Sequence, residues 1–286
     1  MYGKSRWRAN GFALLLLGGL ALTTGCATAQ PSAAAQPGSG RGLVTLVNVN
    51  RTAQVLAAAP GKSSSAHKAV FTLTAYNAQG KPVKNAKVTY FIGLMTPLGN
   101  MMPMTWYRSG RSGANAYIES YTKRTNASGQ ARLTLFGQPS NTMEMIAVQV
   151  GNLSSFDAKT KQPVGLLDAW WARPNSAGTA AGDYVVATPF MASGVSATGE
   201  RVTVTAMSAS GPIPHASVQY SVETSGTGGM GMSGNSNQKT ISASPQGRAV
   251  FTATPGAAGD MPVRVVVAQP GGASRVAGGM SLMLSR

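Results

Sequence analysis

"FTLTAYNAQGKPVKNAKVTYFI", residues 71–92, is the stretch that decides the fold. Apolar side chains alternate with polar ones from Phe71 to Ala75 and again from Lys87 to Ile92, which is the period of half-buried strands. Between the two runs, "AQGKP" supplies a glycine for a backbone position with positive φ and a proline that fixes the next one. The stretch therefore predicts a strand, a tight turn and a second strand.

The same pattern returns later in the chain. "VTVTAMSASGPIPHASVQYSV", residues 202–222, lines up with residues 71–92 if one residue is skipped beside the turn. Further on, "NASGQARLTLF" (126–136) aligns with "SASPQGRAVFT" (242–252), which sets Pro245 opposite Gly129. Self-similarity at this distance indicates one module that occurs twice.

The composition favours short strands throughout. The chain of 286 residues contains 35 glycines and 16 prolines, and long patterns of period 3.6 are absent beyond the first segment. We therefore predict an all-β chain of two tandem β-sandwich domains.

Specific motifs add a resemblance to a known family. The run "LTAYNAQGKPVKNAKVTYFI", followed by "TNASGQARLTL", resembles the bacterial immunoglobulin-like domains of invasin- and intimin-type surface proteins and of many exported lipoproteins. The resemblance implies immunoglobulin-like sandwiches that serve as a spacer, stalk or adhesive module. It carries over no catalytic residue.

The first residues indicate export. Three cations precede a short apolar run from Gly11 to Leu22, and small residues lead to the single cysteine, Cys26. This resembles a bacterial lipoprotein signal, which predicts lipidation at Cys26 and a membrane anchor, although "ATA" ending at Ala29 is a competing cleavage site. The predicted organisation is a signal peptide (1–25), a flexible tether (26–42), a first domain (43–172), a linker (173–182) and a second domain (183–286).

Candidate catalytic groups are few. The chain has two histidines and eight acidic side chains, and the acidic residues are scattered singly along the sequence. A fold could still bring two carboxylates together for acid–base chemistry. The sequence nevertheless predicts that the protein is not an enzyme and names no catalytic residue.

The charge points to two different explanations. The formal net charge is +16, which should attract anionic cell-wall polymers, acidic glycans or a negative membrane surface. Another surface protein is an alternative partner, whereas nucleic acid is not expected outside the cell. Alternatively, a chain with few carboxylates loses little stability in an acidic habitat, because few groups become protonated there.

Two sets of residues are candidate ligand contacts. Aromatic and basic side chains interleave in "TWYRSGR" (105–111), where they could stack on sugars and hold anions; these are Trp106, Tyr107, Arg108 and Arg111. Thioether sulfur suits copper(I) or silver(I), and methionines cluster in two glycine-containing stretches: Met101, Met102, Met104, Met230 and Met232. Methionines in such places also pack under loops or form soft contact surfaces.

The sequence as a whole predicts a non-catalytic, lipid-anchored envelope protein. Its tandem domains would act as a structural, adhesive or binding module outside the cell membrane. The alternative is an envelope protein that binds soft metal ions through the two methionine clusters; no other cofactor is expected.

Overall fold

The computed structural model describes residues 42–58, 67–95, 119–137, 142–156, 166–172, 181–222, 238–254, 260–270 and 280–285. Within these ranges the chain forms strands and turns and contains no α-helix. Accordingly, no described segment is a helix long and apolar enough to cross a membrane.

Nine strands belong to the first half of the chain and nine to the second. The first half contains β1 (Leu46–Val49), β2 (Ala53–Ala57), β3 (Lys68–Tyr76), β4 (Lys87–Met95), β5 (Glu119–Arg124), β6 (Gln130–Phe136), β7 (Thr142–Val150), β8 (Leu153–Ser154) and β9 (Leu166–Ala172). The second contains β10 (Tyr184–Thr188), β11 (Met191–Ala192), β12 (Glu200–Ser208), β13 (Gly211–Pro212), β14 (Ser217–Val222), β15 (Lys239–Ser242), β16 (Arg248–Ala253), β17 (Asp260–Ala268) and β18 (Met280–Ser285).

The two halves repeat one pairing scheme. In the first half, β3 pairs with β1 and β6, β4 pairs with β5 and β7, and β9 pairs antiparallel with β7 and parallel with β2. In the second half, β12 pairs with β10 and β16, β14 pairs with β15 and β17, and β18 pairs antiparallel with β17 and parallel with β11. This arrangement is an immunoglobulin-like sandwich, and the predicted all-β sandwich fold is confirmed.

The alternation predicted for residues 71–92 is also confirmed. Phe71, Leu73 and Ala75 are fully buried, as are Val88 and Tyr90. The turn between these strands follows the predicted chemistry, since Gly80 has a φ of 69°. In the second half, Val202 and Val204 are buried in the same way.

One predicted alignment is wrong by two residues. The backbone N–H of Ala75 donates to the carbonyl of Gly129, and that of Ala206 donates to the carbonyl of Gly247. Both glycines have positive φ, 70° and 68°. Gly129 therefore corresponds to Gly247 rather than to Pro245, because the left-handed turn, and not the shared Gln and Arg letters, fixes the register.

The halves are joined by a reciprocal exchange of strand pairs. Strand β1 pairs with β11, with Val47 opposite Met191. Strand β2 pairs with β10, with Ala53 opposite Val185. Val47 and Val185 occupy equivalent positions, since each lies opposite the equivalent alanine of its own half. The junction thus has the self-complementary form of a two-fold interface, but within one chain.

This exchange carries two rows of strands across both halves. One row runs β6–β3–β1–β11–β18–β17–β14–β15. The other runs β5–β4–β7–β9–β2–β10–β12–β16. Both halves belong to one compact unit. The domain limits predicted at 43–172 and 183–286 stay a prediction, and 173–180 of the predicted linker lies outside the described residues.

The second row changes its core-facing side at the junction. In strand β9, Leu167, Ala169 and Trp171 face the core of the first half and are buried. In strand β10, the buried face holds Val185 and Ala187. Ala53 of β2 lies opposite both Val185 and Asp168, so the side chains of Val185 and Asp168 project from the same face of the sheet. A side chain such as Asp168 is therefore buried although it points away from the core of its own half.

Candidate binding surface

None of the ligand contacts predicted from the sequence lies in the described part of the chain. The aromatic and basic set (Trp106, Tyr107, Arg108, Arg111), both methionine clusters (Met101, Met102, Met104, Met230, Met232) and Cys26 all lie outside the described residues. Their roles stay predictions.

Two other methionines have a packing role. Met143 and Met145 on β7 are 8% and 2% exposed and belong to a small apolar cluster with Ala147 and Leu166. Phe91 packs against this cluster and meets the ring of Phe156 edge-on at 5.1 Å. These thioethers fill space on the outer side of the first half, as methionine commonly does.

The first half concentrates cations at one end of its sandwich. We call this group the basic end: Lys81, Lys84, Lys87, Lys123, Arg124 and Arg132, all exposed. The group comes from three neighbouring pieces of chain, namely the connection between β3 and β4 together with the first residue of β4, the end of β5 and the start of β6. Turn 126–129 packs on this connection, because a Cβ built at Gly129 would lie 2.9 Å from the Cβ of Pro82.

Two of these cations are direct neighbours in the sheet. Lys87 and Arg124 lie opposite each other in the β4–β5 ladder, where like charges destabilise an antiparallel pair. Arg124 donates from Nη1 to the carbonyl oxygen of Asn85 at 3.0 Å. That bond holds the guanidinium beside the turn that also carries Lys84, so positive charge accumulates there.

Lys123 joins the edges of the two rows. Its ladder partner is Val88, a fully buried residue, so its side chain starts on the inner face of the sandwich. The Nζ atom donates to the carbonyl oxygen of Arg132 on β6 at 2.8 Å. Lysine can cover apolar surface with its stem while its ammonium reaches a polar partner at the rim.

The corresponding end of the second half carries less charge, although the exposed Arg248 opens β16 there. Ser217 and Ser242 occupy the ladder positions of Lys87 and Arg124. The equivalents of Lys84, Lys123 and Arg132 are uncharged as well: Pro214, Ile241 and Val250. His215 takes the place of Asn85; both residues have positive φ, 57° and 66°. The backbone is therefore repeated, whereas the chemistry of the surface is not.

The carboxylates of the described core cannot offset the basic end, since they point inward. Glu144 and Asp168 are 5% and 1% exposed, and Asp183 is fully buried. Glu144 accepts a hydrogen bond from the indole Nε1 of Trp171 at 3.0 Å. Trp171 is fully buried in the core of the first half.

Asp168 is the exceptional acidic group. Both of its carboxyl oxygens are buried and have no hydrogen-bond partner. Its ladder neighbours are Met145 and Ala53, which offer nothing polar from their side chains. Burial raises the pKa of Asp168 well above its usual range, because an apolar environment disfavours the charged form.

Glu144 and Asp168 do not form an acid–base pair. Glu144 lies opposite Ala169 in the β7–β9 ladder, whereas Asp168 lies opposite Met145. The side chains of Glu144 and Asp168 therefore project from opposite faces of the same sheet. Among the described residues, no three His, Cys, Asp or Glu side chains are grouped in a way that could hold a metal ion.

Comparison with known proteins finds no matching family model, and no curated protein matches the sequence. Similar solved structures include the D0–D1 domains of intimin (17% identity, TM-score 0.33, 84% of this chain and 98% of that one). Invasin, a bacterial integrin-binding protein, is 19% identical with a TM-score of 0.26 over 85% of this chain, which spans 39% of the invasin structure. The adhesin InvE of Yersinia pseudotuberculosis is 15% identical with a TM-score of 0.24, over 86% of this chain and 61% of that structure.

Intimin and invasin are proteins of the type that the sequence motifs resemble. The fold assignment itself rests on the strand pairing. Identities and scores of this size say nothing about what the chain binds. The chain is thus an all-β protein with immunoglobulin-like strand pairing in both halves.

Proposed function

We propose that this chain is a non-enzymatic structural module that stands on the outer side of a bacterial membrane and acts as a stiff spacer. The observation that carries the proposal is the reciprocal pairing of β1 with β11 and of β2 with β10. A flexible linker would let two tandem domains move independently. Two shared ladders prevent such motion, since bending at the junction would break backbone hydrogen bonds.

Buried hydrogen bonds strengthen the junction. The backbone N–H groups of Thr52 and Val55 donate to the carbonyls of Val185 and Asp183, both at 2.8 Å. In the opposite direction, the N–H groups of Phe190 and Ser193 donate to the carbonyls of Val47 and Thr45 at 3.0 and 2.9 Å. The two sets occupy equivalent positions, so the same backbone hydrogen bonds stabilise both sides of the junction.

Equilibrium unfolding of the full chain in urea tests the stiff-spacer proposal. All four tryptophans, Trp7, Trp106, Trp170 and Trp171, precede the second half, so no tryptophan of the second half contributes to the fluorescence. Far-ultraviolet circular dichroism reports strands in both halves. We expect the two transitions to coincide, as they do for a single cooperative unit. A dichroism transition that continues after the fluorescence change is complete would contradict the proposal.

The proposed anchor is the thiol of Cys26, which would carry lipid after removal of residues 1–25. The full chain should incorporate labelled palmitate and sediment with membranes, whereas Cys26→Ser should do neither. A Ser variant that still takes up label, or a parent chain that takes up none, would remove lipidation from the proposal. The unfolding experiment does not depend on this result.

A further inference from the structure

We propose that the basic end of the first half binds a linear phosphate polymer of the kind found in cell walls. This goes beyond the spacer role and does not depend on it. The proposal rests on the placement of the cations, on the distance and burial of the carboxylates of the same half, and on the uncharged residues at five equivalent positions of the second half.

Placement comes first. Lys87 and Arg124 share the outer face of the β4–β5 pair, whereas Lys123 lies at the inner edge and reaches β6. Neighbouring strands are about 4.8 Å apart, so the charges extend over two faces and one edge. A single small anion cannot contact all of these groups, but a flexible chain of phosphates can pass from one to the next.

The local charge balance favours an external anion. Like charges at the Lys87–Arg124 pair repel each other. The carboxylates of the same half whose burial is described, Glu144 and Asp168, are both buried and lie toward the other end of β4, so they cannot screen this repulsion. Lys123 and Arg124 donate to backbone carbonyls, which positions their charge without neutralising it.

The second half supplies the internal comparison. Neutral residues stand at five equivalent positions, among them Ser217 and Ser242 in place of the Lys87–Arg124 pair. Since the ladder positions of Lys87, Lys123, Arg124 and Arg132 recur in the second half with neutral residues, the strand pairing does not require cations there. The charges of the basic end are therefore available for a ligand.

A phosphate polymer fits the chemistry of these groups. Guanidinium groups bind phosphate oxygens in a bidentate manner, and lysine adds a point charge. Each exposed contact is weak in water because of screening. Many such contacts along one chain add up by effective concentration, and binding should weaken steeply with salt as counterions return.

Retention of the full chain on immobilised poly(glycerol phosphate) tests the proposal, with Cys26→Ser in every sample so that no acyl anchor contributes. The test variant is K84Q/K87Q/R132Q, which leaves Lys123 and Arg124 to hold the strand edge and the turn. The matched control is R201Q/K239Q/R248Q, which removes the same charge from exposed positions of the second half. Thermal unfolding confirms that both variants are folded.

We expect the test variant to bind about tenfold or more weakly and to show a shallower dependence on salt. The control should change affinity by less than about twofold. Free glycerol phosphate at the same phosphate concentration should not compete. Equal loss in both triple variants would overturn the proposal, since binding would then follow net charge alone.

Two further results would also overturn it. One is tighter binding of single-stranded oligodeoxythymidine than of poly(glycerol phosphate) at matched phosphate and salt concentrations, which would make nucleic acid the better ligand. The other is that the parent chain fails to bind the polymer but is retained on phosphatidylglycerol vesicles, and that K84Q/K87Q/R132Q loses this retention. A membrane surface would then be the partner. Neither result bears on the unfolding test of the spacer role.

Discussion

The two halves of this protein share a backbone but differ in the side chains that they place on it. The turn glycines Gly129 and Gly247 accept the same hydrogen bond from equivalent alanines. At the same end of each sandwich, Lys87 and Arg124 in one half are replaced by Ser217 and Ser242 in the other. Positions that are the same in both halves identify residues that the fold requires. Positions that differ identify residues that determine the chemistry of the surface. Four changes would break or sharpen this comparison.

The shared turn should give the largest effect. A Cβ at Gly129 would lie 2.8 Å from the carbonyl oxygen of Ala75, and one at Gly247 would clash with the carbonyl oxygen of Ala206. Both glycines also have positive φ. We expect Gly129→Ala and Gly247→Ala to lower the free energy of unfolding by about 3 kcal/mol or more, measured by urea denaturation.

Gly80→Ala is the matched control for this prediction. Its φ is 69°, but a Cβ there would meet nothing within 4 Å, so only the left-handed backbone cost of about 1 kcal/mol applies. Equal losses at Gly80 and Gly129 would mean that backbone conformation, rather than the close approach, sets the requirement for glycine.

A junction threonine should give the next largest effect. The hydroxyl of Thr52 donates to the carbonyl of Val185 at 2.9 Å and accepts from the N–H of Ala187 at 3.1 Å. Thr52→Val leaves that N–H buried without a partner, which costs about 1–3 kcal/mol. Urea unfolding should show this loss in fluorescence and dichroism together.

Thr125→Val is the control for the junction. Thr125 makes the same pair of bonds within the first half, to the carbonyl of Val83 and from the N–H of Ala86, and its equivalent in the second half is Ala243. A similar loss of stability is expected, because both halves unfold as one unit. If Thr125→Val shifted only the fluorescence transition, the halves would be separable.

Asp168 tests a difference that depends on pH. Its ladder equivalent in the second half is Met283, and burial raises the pKa of Asp168 in the folded state. The folded chain therefore holds this proton at pH values where the unfolded chain has lost it. Stability falls as pH rises from the unfolded pKa, near 4, to the raised folded value.

Asp168→Asn removes this titration. Compared with the variant, the parent should lose up to about 1.4 kcal/mol of stability per pH unit within that window, measured by unfolding at a series of pH values from 4 upward. Parallel pH profiles for the two proteins would show that Asp168 does not titrate in this range.

The smallest effect on stability should come from moving the basic pair. Ser217→Lys with Ser242→Arg copies the Lys87–Arg124 ladder position into the second half. Like charges opposite each other should lower the free energy of unfolding by about 0.2–1 kcal/mol at low salt, and added salt should restore it. The same variant should bind poly(glycerol phosphate) more tightly than the parent, and unchanged binding would show that the pair alone does not make a site.

Particular residues show how far the sequence could predict this molecule. The alternation from Phe71 to Ala75 and the turn at Gly80 depend on neighbouring residues alone, so the pattern was sufficient. The equivalence of Gly129 and Gly247 was missed by two positions, because turn geometry is shared while the letters around it are not. The basic end was also missed, since its cations are separated by up to 51 positions, from Lys81 to Arg132.

The sequence by itself determined the all-β class, the duplicated module, the predicted export signal and the excess of positive charge, since each is a local pattern or a sum. Only the tertiary structure decided that β1 pairs with β11 and β2 with β10, that Asp168 is buried without a partner, and that six cations meet at one end of the first half. These features depend on contacts between residues far apart in the chain. No local period encodes such contacts; they are fixed when burial and backbone hydrogen bonding are satisfied together.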